Sequence, residues 1–184
     1  NGEAIFSCSI SFQKREKGLS HQIKMPKIPG PEKLKSDFEL RKDVQKKIPK
    51  DYLPMWLRER EIETRQVEPM DLLKVEKLPP YRSTWMKPVG KLPADERIHQ
   101  ALLLYVSDMG LLGAAVNPHE VNFMSKKFQS ASLDHVMWFH GKVNFNNWIL
   151  HHMHSPISSG ARGFSRGAIY LSLIHISEPT RHSI

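Results

Sequence analysis

Asp108 is the first residue that needs a reason. It stands in LLLYVSDMGLLGAA, residues 102–115, an almost unbroken apolar run. Stripping an ionised carboxylate of water costs several kcal/mol unless something pairs with it. Two readings are open. The chain turns outward at Met109-Gly110, where glycine often ends a helix, and Asp108 is an ordinary carboxylate in water. Alternatively the carboxylate is held inside to orient or deprotonate a water molecule, which requires a partner and an enclosed site.

Three further stretches carry groups able to do chemistry. In ASLDHVMWFH, residues 131–140, Asp134 adjoins His135. On a strand, neighbours point to opposite faces, so Asp134 and His135 cannot act on each other as in a serine triad. No G-x-S-x-G nucleophile elbow is present. His151, His152 and His154 form a second cluster. His152 and His154 would share a strand face, but no cysteine or carboxylate lies nearby in sequence to complete a metal site, so a structural or surface role is expected and no metal. In SSGARGFSRG, residues 158–167, glycine amides with Arg162 or Arg166 could hold a phosphate; an ordinary turn with exposed arginines is the plainer reading.

The elements that must carry these groups can be read from pattern. AIFSCSISF (4–12), IETRQV (62–67) and YRSTWM (81–86) alternate like strands. Prolines 26, 29, 31, 49 and 54 punctuate a lysine-rich stretch, residues 27–59, which reads as a linker with room for a short helix between Pro31 and Pro49. After Pro93, ADERIHQALLLYVSD suits a helix, with Asp95 and Glu96 at its positive end. Ile98, Leu102 and Tyr105 share one face, widened by Ala101 and Leu104, which predicts a helix buried on most sides. Segments near 131–139, 148–154 and 163–170 return to period two. The order predicts an α+β fold in which a sheet wraps one helix.

Composition bounds the rest. A chain of 184 residues with 40% hydrophobic and 25% charged residues can build a sizeable core. The formal charge of +8 suits a phosphate-bearing partner, although much of it lies between Lys24 and Lys50. No nucleic-acid-binding module or aromatic stacking platform is present, so nucleic acid is not an expected partner. The single cysteine, Cys8, allows no internal disulfide. No apolar stretch reaches the roughly 20 residues of a membrane span.

Taken in order, SFQKREKGLSHQIKMP (11–26), YRSTWMKPVGKLP (81–93), LLLYVSDMGLLGAA (102–115), ASLDHVMWFH (131–140) and SSGARGFSRGAIY (158–170) resemble the type II acyl-CoA thioesterases, a family that includes bacterial thioesterase II and the peroxisomal acyl-CoA thioesterases. The resemblance implies a partial double hot-dog fold, each unit an antiparallel sheet wrapped around a helix. Residues 1–26 would end the first unit, 27–59 would link the two, and 60–170 would form most of the second. It further implies hydrolysis of fatty acyl-CoA to free fatty acid and coenzyme A by a positioned water, with no cofactor, coenzyme A being part of the substrate. By motif, the family's catalytic aspartate falls on Asp108 and its hydroxyl residue on Ser132, which would keep Asp108 inside. Asp134 and His135 are not catalytic residues of the family. Arg162 and Gly163 are candidates for the coenzyme A phosphates. A homo-oligomer is expected of the full-length protein, in the peroxisome or alternatively the cytoplasm.

The chain departs from the family at its end. A catalytic glutamine in a last strand resembling VQEG is implied but does not occur; after Tyr170 the chain reads LSLIHISEPTRHSI. Residues 171–184 are therefore expected to be non-native, and the polypeptide as written is expected to be poorly active. The alternative is a non-catalytic acyl-CoA-binding or assembly protein on the same scaffold. The missing glutamine favours it, and Asp108 with Ser132 opposes it.

Overall fold

The computed structural model describes residues 2–69, 74–121 and 128–171; of the tail expected to be non-native, residues 171–184, only Leu171 lies within them. Four of the alternating segments become strands: β1 (Ile62–Gln66), β2 (Tyr81–Pro88), β3 (Ile149–Ser159) and β4 (Arg162–Leu171). They form one antiparallel sheet in the order β1-β2-β3-β4. Thr84 pairs with His151, Trp85 with Leu150, and Met86 with Ile149. Alternation then puts Met86, Ile149, His151 and Met153 on one face and Trp85 and Leu150 on the other. The β3–β4 hairpin carries an irregularity between His154 and Ile157. It closes through Gly160 (φ 57°) and Ala161 (φ 59°). Positive φ at both residues is what a two-residue loop matched to the twist of its strands requires.

The apolar run forms two helices on the first face of the sheet. Helix α3 (Glu96–Ser107) follows two short helices, α1 (Asp37–Asp43) and α2 (Leu53–Trp56), and begins at Asp95, whose carboxylate accepts from the Arg97 amide. Gly110 at φ 92° breaks the run, and α4 (Leu111–Val116) continues it against β2, β3 and β4. Together Glu96–Val116 are long and apolar enough to cross a membrane by length and composition alone; here they are broken at Gly110 and packed on the sheet. Leu103 and Val106 meet Ile62, Met86, Val143, Phe145 and Ile149 in one core cluster.

The buried side of α3 is not the predicted one. His99, Leu103, Val106 and Ser107 are buried, whereas Ile98, Leu104 and Tyr105 are exposed, Tyr105 at 65%. Leu102, Leu103 and Leu104 are consecutive and so point to different sides of the helix, and periodicity did not choose its inner face. Specific polar ties do. The Phe145 amide donates to His99 Nδ1 at 3.0 Å, and His99 Nε2 lies 2.9 Å from the Pro93 carbonyl. Because Nδ1 accepts, the proton sits on Nε2 and is donated to Pro93.

The lysine-rich stretch read as a linker is docked along edge strand β1. Ser36 and Glu39 form a reciprocal cap on α1, the short helix expected between Pro31 and Pro49. Arg41 is buried, and its guanidinium donates to the carbonyls of Trp56 (2.6 Å), Arg58 (3.3 Å) and Asp37 (3.2 Å). Asp37 accepts from Thr64 at 2.7 Å and Gln66 at 3.0 Å. Arg65 donates to the carbonyls of Pro31 and Leu34, and the Trp85 indole to that of Pro29 at 2.9 Å. Such cover protects an edge strand from unwanted pairing.

Two expected strands do not form. Residues 4–12 have no regular structure and are exposed, with Ile5, Phe6, Ile10 and Phe12 all outside the core. Residues 131–139 are likewise without regular structure, with Leu133, Val136 and Trp138 exposed. Alternation makes a segment suitable for a ladder, but a strand exists only where a partner supplies the other half of each hydrogen bond.

Candidate functional site

Helices α3 and α4, the hairpin β3–β4 and residues 128–141 enclose an open groove of about 2820 Å³. Asp108, Ser132, Arg162 and Gly163, the four site residues expected from sequence, all line it, together with Ser107, His135 and His151.

Asp108 is the residue that closes α3, and its side chain is 58% exposed. The expectation of a carboxylate kept inside is therefore corrected: it sits at a helix end and faces the groove. A negative group at the carboxyl end of a helix opposes the dipole there, so a cationic or polar partner is needed. His135 stands in that place, with Nδ1 3.7 Å from Asp108 Oδ1. This becomes an ion pair when the imidazole is protonated. The other ring nitrogen, Nε2, lies 2.8 Å from Ser107 Oγ, whose own hydrogen goes to the Leu104 carbonyl at 2.7 Å. His135 therefore donates from Nε2. The trio has the members of a serine triad without its function: the Ser107 proton is spent on a carbonyl, and the residue is 5% exposed.

Sequence reasoning set His135 aside because the pairing with Asp134 fails on a strand. Its true neighbours, Ser107 and Asp108, lie a whole element away, and no local spacing signals them. Ser132 is exposed and lines the same groove. Among the described residues no hydrogen bond joins it to Asp108.

Arg162 and Gly163 open β4 directly after the turn. Gly163 lies beneath α4: a Cβ there would come within 2.9 Å of Ala115 Cβ. The hairpin is further tied to α4 by Ser158 Oγ donating to the Ala115 carbonyl at 3.2 Å and Ser165 Oγ to that of Leu111 at 2.9 Å. Replacing Gly163 with Ala should force these elements apart and cost about 1–3 kcal/mol, read as a lower melting temperature.

The three histidines of β3 separate by face. Among the described residues no three His, Cys, Asp or Glu side chains gather into a metal site. His152 Nδ1 meets Ser83 Oγ at 2.9 Å, and His154 Nε2 accepts from Arg166 Nε at 2.7 Å. His151 faces the helices and is 2% exposed, and its Nδ1 has no hydrogen-bond partner among the described residues. Burial, reinforced by His135 and His152, pushes its pKa down from 6.5 to about 4. Below pH 6.5 the unfolded chain takes up a proton that the folded ring refuses until about pH 4. Stability should thus fall as pH drops through that window, by about 3 kcal/mol in all. Urea denaturation at pH 7 and pH 4.5 should show the loss in the parent chain and much less of it in His151→Phe.

The family model described as acyl-CoA thioesterase matches residues 56–182. Acyl-CoA thioesterase 2 of Haemophilus influenzae is 34% identical over 166 residues, covering 90% of this chain and 58% of that protein. Acyl-coenzyme A thioesterase 8 of Mus musculus is 35% identical over 182 residues, covering 92% and 55%. The chain thus spans a little over half the length of the curated relatives it matches. The crystal structure of an acyl-CoA thioesterase II from Mycobacterium marinum superposes with a TM-score of 0.62 at 28% identity, over 86% of this chain and 54% of that one. The α+β arrangement of antiparallel sheet and core helix is the hot-dog fold of that enzyme class. With the family match extending over most of its length, the chain belongs to the acyl-CoA thioesterase family.

Proposed function

We propose that the protein hydrolyses fatty acyl-CoA to free fatty acid and coenzyme A, and that Asp108 and Ser132 poise the attacking water. The observation that supports this best is that Asp108, at the end of α3, and Ser132, within residues 128–141, line one groove. Asp108 takes the proton as the water oxygen bonds to the thioester carbonyl carbon, and returns it to the departing thiolate. A thioester is more electrophilic than an amide, so positioning and hydrogen-bond donors suffice without a covalent nucleophile. Leu111, Leu112 and Val143 give the groove an apolar side that suits an acyl chain. Arg162 at its rim suits the phosphates of coenzyme A.

On this reading residues 60–170 are the second hot-dog unit of a double hot-dog protein. The full-length protein assembles as a homo-oligomer and works in the peroxisome, with the cytoplasm as the alternative. The test is release of free thiol from acyl-CoA by the purified full-length protein. Turnover that Asp108→Asn abolishes supports the proposal. Tight acyl-CoA binding without turnover would instead favour the non-catalytic scaffold.

A further inference from the structure

We propose that His151 is a further substrate-contacting residue of this groove, its neutral imidazole donating a hydrogen bond to the thioester carbonyl oxygen as that oxygen gains charge. The inference rests on the functional reading above. His151 sits on the inner face of β3, paired with Thr84 on one side and Ile169 on the other. It is 2% exposed, yet it lines the groove that holds Asp108 and Ser132. It also lies within electrostatic range of His135, which contacts Asp108. The ring has a place made for it: Gly167 lies beneath, and a Cβ at that position would come within 2.5 Å of Nε2.

The feature that a packing role leaves unexplained is Nδ1. Among the described residues it has no hydrogen-bond partner although it is shut away from solvent. A buried polar atom left without a partner destabilises the free protein, and such atoms tend to be kept where a ligand completes them. His152 and His154, on the same strand, have both found protein partners. Of the three, His151 alone lines the groove, and its Nδ1 is buried without a partner among the described residues. A carbonyl oxygen is the acceptor that a thioester brings, and it becomes a far better one when the tetrahedral intermediate forms. A donor fixed beforehand favours that state over the ground state. Burial keeps the ring neutral near pH 7, so a single N–H, not a full charge, meets the oxygen.

The test uses the full-length protein with His151→Phe, which keeps an aromatic ring and removes both nitrogens, and His151→Asn, whose amide can stand where Nδ1–H stood. The Phe variant should lose about 10- to 100-fold in kcat with KM little changed. Its melting temperature at pH 7 should hold or rise, because an unsatisfied nitrogen has gone. The Asn variant should recover a substantial part of kcat. A second reading compares two unreactive analogues: a ketone in which the carbonyl is kept and a thioether in which it is removed. The parent should prefer the ketone, and the Phe variant should lose that preference; if Phe does not fold, His151→Ala serves for both measurements. Full kcat in the Phe variant, or a preference for the ketone that survives it, would overturn the assignment while Asp108→Asn remains inactive. A parent protein that hydrolyses no acyl-CoA would overturn the functional reading and this role with it.

Discussion

Replacing Asp108 with Asn should lower kcat for acyl-CoA hydrolysis by about 100- to 10,000-fold, the range expected when a general base is removed. The fold should be untouched. Asp108 is 58% exposed at the end of α3, so the amide neither fills a cavity nor strands a buried charge. The change should even relieve α3, since a carboxylate at that end opposes the helix dipole. The melting temperature should therefore hold or rise slightly while turnover collapses. Parallel thermal melts and thiol-release assays on parent and variant decide the matter. A variant that retained turnover would remove Asp108 from the chemistry. A loss of activity that tracked a loss of stability would make it a structural residue.

Replacing Phe145 with Ala should destabilise the protein by about 3–5 kcal/mol, the range for truncating a buried aromatic ring. Phe145 is 0% exposed within the cluster that joins α3 to β1, β2 and β3. Its backbone amide also fixes His99, and through it the carbonyl of Pro93, so the cavity would open beside the tie that orients the helix. Most of the net stability of an ordinary domain is at stake. Urea denaturation should show a large drop in midpoint with little change in slope. Trp138→Ala makes the contrast: that ring is 71% exposed, and its loss should be nearly silent.

The residues that build the sheet announce themselves. IETRQ and YRSTWMKP became β1 and β2, and in β2 the run Ser83, Thr84, Trp85 and Met86 is buried on both faces. Gly110 breaks the long apolar run where glycine was expected to break it, and Asp95 stands at the start of α3. Local composition settles such features because local geometry decides them. Two strand expectations failed for the opposite reason. AIFSCSISF and ASLDHVMWF have the right alternation, but a ladder is made between segments, and pattern within one segment cannot supply the other. The inner face of α3 was misjudged because three consecutive leucines, Leu102 to Leu104, point to different sides of it; the choice rests on His99 meeting Phe145, a contact across 46 positions of chain. At the site, the motifs delivered Asp108 and Ser132 to one groove. They did not deliver His135 beside Asp108 or the unpartnered nitrogen of His151, since both depend on three-dimensional proximity alone.

The fastening of residues 29–58 along β1 bears on where an autonomous folding unit begins. Trimming the polypeptide back to Ile62 would strip Trp85, Arg65, Thr64 and Gln66 of their acceptors at Pro29, Pro31, Leu34 and Asp37. The bared margin of the sheet would then invite intermolecular β-pairing and inclusion bodies. Anyone shortening this protein for expression or crystallisation should cut upstream of Pro29. The lysine-rich stretch is fastened to the sheet as its selvage.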